Sequence, residues 1–284
     1  MITFPETSQI RAGVMGWPVG HSLSPRLHGF WLRKYGINGR YDKIPVEHGN
    51  LRTALRNLPT QGLQGVNLTV PHKESACEIV DTLDNTARRI GAVNLVTVDA
   101  DGTLHGRNTD AFGFAQNLIT SGFKPTNGTA VLLGAGGAAR AVIVALQDIG
   151  FTSISIANRT VERAEHIAAA FSTPLHTVTA IAWPDARVAM HNAELLVNTT
   201  ALGMTGQPPL GITLDSLPLS AAVTDVVYSP LETDLLRTAR LRGHNCIDGL
   251  GMLLHQARPA FAAFFGTDPE VTPELRQFLA SEAA

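Results

Sequence analysis

Residues 128–146 read GTAVLLGAGGAARAVIVAL, two apolar blocks separated by a glycine turn, and this stretch constrains the fold more than any other. A run this apolar invites a membrane-span reading, which needs about 20 consecutive apolar residues. Arg140 and four glycines interrupt it. The blocks at 131–133 and 141–146 instead predict a buried strand, a tight turn and a helix.

Gly134, Gly136 and Ala139 spell G-x-G-x-x-A directly after that strand and at the head of that helix. Glycine permits the tight turn and lets backbone N–H groups approach a pyrophosphate, which the helix N-terminus also attracts. A small-residue turn that merely packs helix on strand is the plain alternative; the flanking strand and helix favour the nucleotide cradle. In an NAD site a carboxylate ends the next strand about 20 residues on, where it accepts from the ribose 2′-hydroxyl. Here Ala157, Asn158, Arg159 and Thr160 occupy that place. Arg159 offers a planar cation matched to a 2′-phosphate, Asn158 and Thr160 offer donors, and Arg163 follows one helical turn later. NADP is therefore expected over NAD. Most arginines are simply solvated, but these stand where the discriminating carboxylate would be.

Apolar runs of strand length alternate with amphipathic runs of helix length through most of the 284 residues, the pattern of an α/β chain with parallel sheets. At about 100–200 residues per domain the length implies two domains. Expected strands cover 10–15, 40–46, 63–69 and 93–98, with helices at 25–35, 47–58 and 72–79. A helix at 110–121 joins the halves. A second alternation has strands at 129–134, 153–157, 194–198 and 222–227, and after Asp248 the chain reads as helical to its end. Charged residues make up only 16% and the formal charge is −2, which argues against a nucleic-acid or membrane-surface partner, since those need a concentrated basic face. Cys77 and Cys246 lack any disulfide or metal-ligand spacing and suit a reducing cytoplasm. The opening MITFPETSQIRAG lacks the basic and apolar regions of a secretory signal.

Four polar segments fall at expected strand ends, where open α/β sheets bind ligands. They are His21-Ser22-Leu23-Ser24-Pro25, Asn67 to Lys73, Gly91-Ala92-Val93-Asn94 and Asn108-Thr109-Asp110. Their hydroxyls, amides, one cation and one carboxylate suit a small neutral or anionic polyol, and no metal-ligand spacing occurs among them. Each also has a plainer reading: Ser24-Pro25 as a helix N-cap and first residue, Asp110 as the cap of the joining helix, the asparagines as turn formers.

In this order the segments closely resemble the shikimate dehydrogenases. The likeness runs from Gly16-Trp17-Pro18 and His21 to Pro25 with His28, through Gly65-Val66-Asn67, Thr69, Pro71 and Lys73, to Gly91 to Asn94 and Asn108 to Asp110. It continues over Gly134 to Arg140, Asn158 to Thr160, Asn198 to Thr200, Gly203-Met204, Val227-Tyr228, Pro230, Thr233 and Gly251 to Gln256. Three positions depart from the family's habit: Gly29 for Asn, Leu95 for Thr and Phe265 for Trp. None removes a charge or hydroxyl assigned to chemistry.

The resemblance implies a Rossmann-like, doubly wound NADP-binding domain over 110–247. It implies an N-terminal α/β substrate-binding and catalytic domain over 1–109, completed by 248–284, with the active site in the cleft between the domains. It implies reversible reduction of 3-dehydroshikimate to shikimate, a step toward chorismate and the aromatic amino acids. Ser22, Ser24 and Tyr228 would hold the ring carboxylate, and Thr69, Lys73, Asn94, Asp110 and Gln256 the ring hydroxyls. The expected cofactor contacts are Gly134, Ala135, Gly136, Gly137 and Ala138 in the turn, Asn158, Arg159, Thr160 and Arg163 beyond the next strand, and Val226 and Gly249. Hydride arriving at a carbonyl carbon leaves an alkoxide that a donor must protonate, and in reverse a base must take the proton. Lys73 is the candidate for that transfer with Asp110 as its orienting partner, and which of them starts with the proton stays open. The rival readings are a quinate/shikimate enzyme preferring NAD and a non-catalytic NADP-binding sensor. A monomer or a homodimer fits equally.

Overall fold

The computed structural model describes residues 9–124 and 127–283. They divide into two compact units. One runs up to Thr109 and takes in Gln256–Leu275; the other comprises Asp110–His255 and Arg276–Ala284.

The first unit opens with β1 (Ile10–Gly16), α1 (Ser24–Lys34), β2 (Gly39–Pro45), α2 (Leu51–Arg56) and β3 (Leu63–Leu68). It continues with β4 (Thr82–Leu83), α3 (Asn85–Ile90), β5 (Leu95–Val98) and β6 (Leu104–Arg107). The strand order is β2-β1-β3-β5-β6-β4. β1 pairs in parallel with β2 and β3, as the alternation predicts, but β5 runs antiparallel to both β3 and β6. The sheet is thus mixed, because only five residues connect β5 to β6. A parallel crossover needs a dozen or more residues, whereas a loop this short closes a hairpin. Gly102, at φ +87°, makes its turn.

α1 forms because its apolar positions repeat at helical spacing. Ser24, Leu27, His28, Trp31 and Leu32 are its buried face, and Pro25 suits the first turn, where no N–H partner is needed. Ser24 is not the cap expected of it but the first helical residue; the Ser22 hydroxyl accepts from the Ser24 N–H at 3.3 Å. The expected helix at 72–79 shrinks to a 3-10 turn over Ser75–Glu78, and that at 47–58 to α2 behind a short 3-10 turn. Under the sheet, Met15, Leu51, Leu55, Leu63, Val66 and Leu68 form one core, each fully buried Leu contributing roughly 1.5–3 kcal/mol.

The second unit opens with α4 (Asp110–Thr120), β7 (Thr129–Leu133), α5 (Gly137–Asp148), β8 (Ser153–Asn158), α6 (Val161–Phe171) and β9 (Thr177–Ala182). α7 (Ala186–Ala189), β10 (Ala193–Asn198), β11 (Ala222–Asp225), α8 (Asp234–Arg242) and β12 (Asn245–Ile247) follow. All its strands pair in parallel, in the order β12-β11-β10-β7-β8-β9. This is the doubly wound Rossmann order, reversing between β7 and β10. The apolar stretch at 128–146 resolves into β7, the turn and α5, whose residues 141–147 are all buried. β9 and β12 carry weaker alternation and were not among the expected strands. Among the described residues no helix is long and apolar enough to cross a membrane.

α9 (Leu250–Phe265) and α10 (Pro273–Ala283) close the chain. Asp248 accepts from the Leu250 N–H at the start of α9 and pairs with Arg276. In the first unit Phe261 of α9 meets Trp31 at a ring-centroid distance of 5.3 Å, and the Trp31 indole donates to the Glu270 carbonyl at 3.0 Å.

Candidate active site

In the second unit the glycine turn has the shape its sequence requires. Gly134 adopts φ +105°, and a Cβ there would stand 2.5 Å from Thr200 Cγ2, so both backbone and space demand glycine. Its N–H donates to the Ala157 carbonyl at 2.8 Å. From beneath, Thr199 Oγ1 donates to the carbonyls of Leu133 and Gly134 at 2.9 and 3.1 Å. Gly136 and Gly137 are exposed and Ala138 half-buried at the N-terminus of α5, where free N–H groups and the helix dipole favour an anion.

β8 delivers the second element. Asn158 Oδ1 accepts from the Ala135 N–H at 3.2 Å, and Asn158 Nδ2 donates to the Thr160 carbonyl at 2.7 Å. One side chain therefore ties the glycine turn to the loop that carries Arg159. Arg159 and Thr160 are exposed, as is Arg163 in the first turn of α6. Neither arginine side chain forms an ion pair among the described residues, so both cations face solvent beside the turn.

Beyond β11, the Val226 N–H donates to the Asn198 carbonyl at 3.0 Å. A Cβ on Gly249 would stand 2.5 Å from the Val226 carbonyl oxygen, so the structure brings these two expected cofactor residues into contact. Tyr228, half-buried, follows; burial raises its phenol above the usual range. Sequence reasoning passed over Asp225, which is fully buried and accepts from Asn198 Nδ2 at 3.0 Å, the Val227 N–H at 3.0 Å and Thr233 Oγ1 at 2.8 Å. Burial raises its pKa, while these three bonds favour the charged form. A lone carboxylate closing an apolar strand was the available signal. Asp110 is the first residue of α4, at the end of the helix that favours a negative charge.

In the first unit the polar segments converge at the ends of β1, β3 and β5. Asn94 and Thr109 are buried and mutually bonded: Asn94 Nδ2 donates to Thr109 Oγ1 at 2.9 Å, and the Thr109 N–H donates to Asn94 Oδ1 at 2.8 Å. Gln256 Oε1 lies 3.5 Å from Asn94 Nδ2 and 3.4 Å from Thr109 Oγ1. Residues from β5's start, β6's end and α9 thus meet in one amide and hydroxyl cluster. Thr69 leaves β3 with its N–H bonded to the Met15 carbonyl at 2.9 Å. Lys73 is half-buried, and its carbonyl accepts from the Val93 N–H at 2.7 Å, which joins the Lys73 segment to the Asn94 segment. Ser22 is half-buried and Ser24 buried. Among the described residues no group of three His, Cys, Asp or Glu is placed to hold a metal ion.

A mixed-sheet unit with a polar strand-end cluster, and a parallel-sheet unit with a glycine turn, place the chain in the class of two-unit dinucleotide-binding α/β proteins. Residues 14–96 match the model of the shikimate dehydrogenase substrate binding domain, and residues 117–204 that of shikimate / quinate 5-dehydrogenase. A shikimate dehydrogenase (NADP(+)) from Paramagnetospirillum magneticum is 53% identical over 272 residues, 95% of this chain and 98% of that protein. The crystal structure of shikimate 5-dehydrogenase from Thermus thermophilus in complex with NADP(H) and shikimate is similar at TM-score 0.85 and 36% identity, covering 97% of this chain and 100% of that one. Quinate dehydrogenase from Corynebacterium glutamicum in complex with NAD is similar at TM-score 0.89 and 30% identity, covering 96% and 99%. The chain belongs to the shikimate dehydrogenase family.

Proposed function

We infer that the protein is an NADP-dependent shikimate dehydrogenase, interconverting 3-dehydroshikimate and shikimate on the route to the aromatic amino acids. The observation that carries this is its likeness, over nearly its whole length, to relatives bearing that name. The residues agree with it. The Gly134 turn leaves no room for a Cβ, the head of α5 offers N–H groups, and Arg159 and Arg163 stand where a 2′-phosphate would need cations. We assign the nucleotide to Gly134–Ala138, Asn158–Thr160, Arg163, Val226 and Gly249, all of them in the unit that comprises Asp110–His255. When bound, NADP supplies the centre that accepts or donates hydride.

The ring acid is assigned chiefly to the unit that runs up to Thr109 and takes in Gln256–Leu275. Ser22, Ser24 and Tyr228 offer hydroxyl donors to its carboxylate. Thr69, Asn94 and Gln256 offer an inventory of donors and acceptors that ring hydroxyls can satisfy. Lys73 carries the proton transfer at the reacting C–O oxygen, toward the nascent alkoxide during reduction and away from the hydroxyl during oxidation, with Asp110 as its orienting partner. Asp110 accepts a hydrogen bond from a ring hydroxyl and balances the lysine charge. Cys77 and Cys246, half-buried and in no disulfide among the described residues, suit a reducing cytoplasm, and the active form is a monomer or homodimer. The test compares turnover of shikimate and quinate with NADP and NAD. Shikimate with NADP is expected to exceed every other pair, and preference for quinate with NAD would overturn the assignment.

A further inference from the structure

Asp225 ends β11 and is fully buried, as is Asn198, which ends the neighbouring strand β10 directly opposite it. Asp225 Oδ1 accepts from Asn198 Nδ2 and from the Val227 N–H, both at 3.0 Å, and Oδ2 accepts from Thr233 Oγ1 at 2.8 Å. On its far side Asn198 Oδ1 accepts from the Thr200 N–H at 3.0 Å and from Thr200 Oγ1 at 2.7 Å, while Nδ2 also donates to the Leu202 carbonyl at 3.2 Å. Thr200 Oγ1 in turn accepts from the Leu202 N–H at 3.0 Å.

Main-chain N–H groups set the direction of these bonds. Val227 donates to Asp225 Oδ1, so that oxygen is an acceptor and the Asn198 atom facing it is the amide nitrogen. The Thr200 N–H likewise needs an acceptor, so the amide oxygen points at Thr200 and the threonine proton goes to it. With its hydroxyl held between Asn198 and Leu202, Thr200 keeps one rotamer, and its Cγ2 lies 2.5 Å from where a Gly134 Cβ would stand. The Asn198 carbonyl also accepts from the Val226 N–H at 3.0 Å. Asp225 and Asn198 thus join the floor of the glycine turn to the exit of β11, two segments assigned to the nucleotide.

We propose that Asp225 is a positioning residue for the nucleotide: it fixes the Asn198 amide, and through it the Thr200 methyl beneath Gly134 and the Val226 segment at the end of β11. This rests on the assignment of the glycine turn to a nucleotide. A carboxylate only accepts, so all three donors around Asp225 are satisfied at once. A carboxamide in its place turns an NH2 group toward at least one of those donors, which then loses its acceptor. The bonds that remain lose the assistance of the charge. None of the bonds in this relay goes to Arg159 or Arg163, so it bears on the parts that NADP and NAD share.

The test is a double-mutant cycle on the full-length protein, read as the Kd of NADPH and of NADH by fluorescence titration at a temperature well below each variant's Tm. Asp225→Asn keeps the shape and removes the charge. It is expected to raise both Kd values by the same factor, about fivefold, the difference between a charge-assisted and a neutral hydrogen bond. A purely structural role would lower Tm and leave both Kd values in place. Thr200→Val keeps a methyl beneath Gly134 and removes the hydroxyl; in that background Asp225→Asn is expected to add less than about twofold, because the group it acts through is gone. Unchanged Kd values, a rise confined to NADPH, or an equal rise in both backgrounds overturns the proposal. Should Asp225→Asn not fold, Asn198→Ala breaks the relay at its middle. Its rise in Kd should shrink in the Thr200→Val background, and an equal rise in both refutes the relay. Wild-type shikimate oxidation with NADP is measured alongside: its absence in a protein that binds NADPH sinks the functional assignment alone, whereas additive effects on Kd sink only the role of Asp225.

Discussion

Arg159→Ala removes one exposed side chain from the loop after β8 and leaves the polypeptide that carries it intact. Asn158 anchors that loop through its bonds to the Ala135 N–H and the Thr160 carbonyl, and Arg159 takes part in neither. A hydrogen bond to a charged partner contributes about 1.5–3 kcal/mol. The solvent exposure of Arg159 places it in the lower half of that range, and Arg163 retains part of the attraction. At about 1.4 kcal/mol per factor of ten, the KM for NADP is expected to rise roughly ten- to thirtyfold. NAD lacks the 2′-phosphate, so its KM should stay within about twofold. Replacing Arg163 as well should narrow the two cofactors further. The assay is initial-rate oxidation of shikimate at saturating ring acid, with NADP and NAD varied separately and Tm recorded as a check on the fold. An equal loss with both cofactors, or no loss with NADP, refutes the reading of the β8 terminus as a phosphate site.

Other substitutions reach the remaining parts. Lys73→Ala should lower kcat by about 10²–10⁴-fold while leaving NADP affinity and Tm nearly unchanged; near-normal turnover would remove Lys73 from the proton transfer. Gly134→Ala forces a side chain into φ +105° and 2.5 Å from Thr200 Cγ2. Strain and overlap together cost about 2–4 kcal/mol, so its urea midpoint should fall and NADP binding should weaken; an unaltered unfolding curve would contradict the turn geometry. His28 is held at a pKa of about 3 by burial, against 6.5 in an unfolded chain. A base with a depressed folded pKa leaves the unfolded chain binding more protons between those values, so stability falls as pH drops from 6.5 toward 3, by up to a few kcal/mol. His28→Phe keeps a ring in the stack without the titration, and thermal unfolding should show it losing less over that window than the wild type.

The β7, turn and α5 sequence was legible because everything it needs is local: an apolar strand, a glycine turn and a helix in succession. The place of Arg159 just past the end of β8 was legible for the same reason, at a fixed distance from that turn. The mixed first sheet was not, since β5 and β6 are four residues each and too short for periodicity to declare their direction. Nor was the Tyr41–Asn67 bond, which spans 26 residues and joins two strands that each pair with β1 and not with one another. Asp225 was visible as a carboxylate in an apolar strand, but its partners Asn198 and Thr233 come from different elements. Ser24-Pro25 was legible as a helix start, although it is Ser22 whose hydroxyl bonds to the helix backbone.

The first unit is written in two pieces, and that has a consequence for the order in which the protein can be built. Trp31, His28 and Tyr41 lie early in the chain, yet the Phe261 and Phe264 rings they meet come from α9, beyond the entire parallel sheet. A ribosome has therefore synthesised every strand of the second sheet before the first unit can seal its aromatic floor. During translation the amino-terminal sheet must wait, its α1 face uncovered, while the segment that interrupts it is completed.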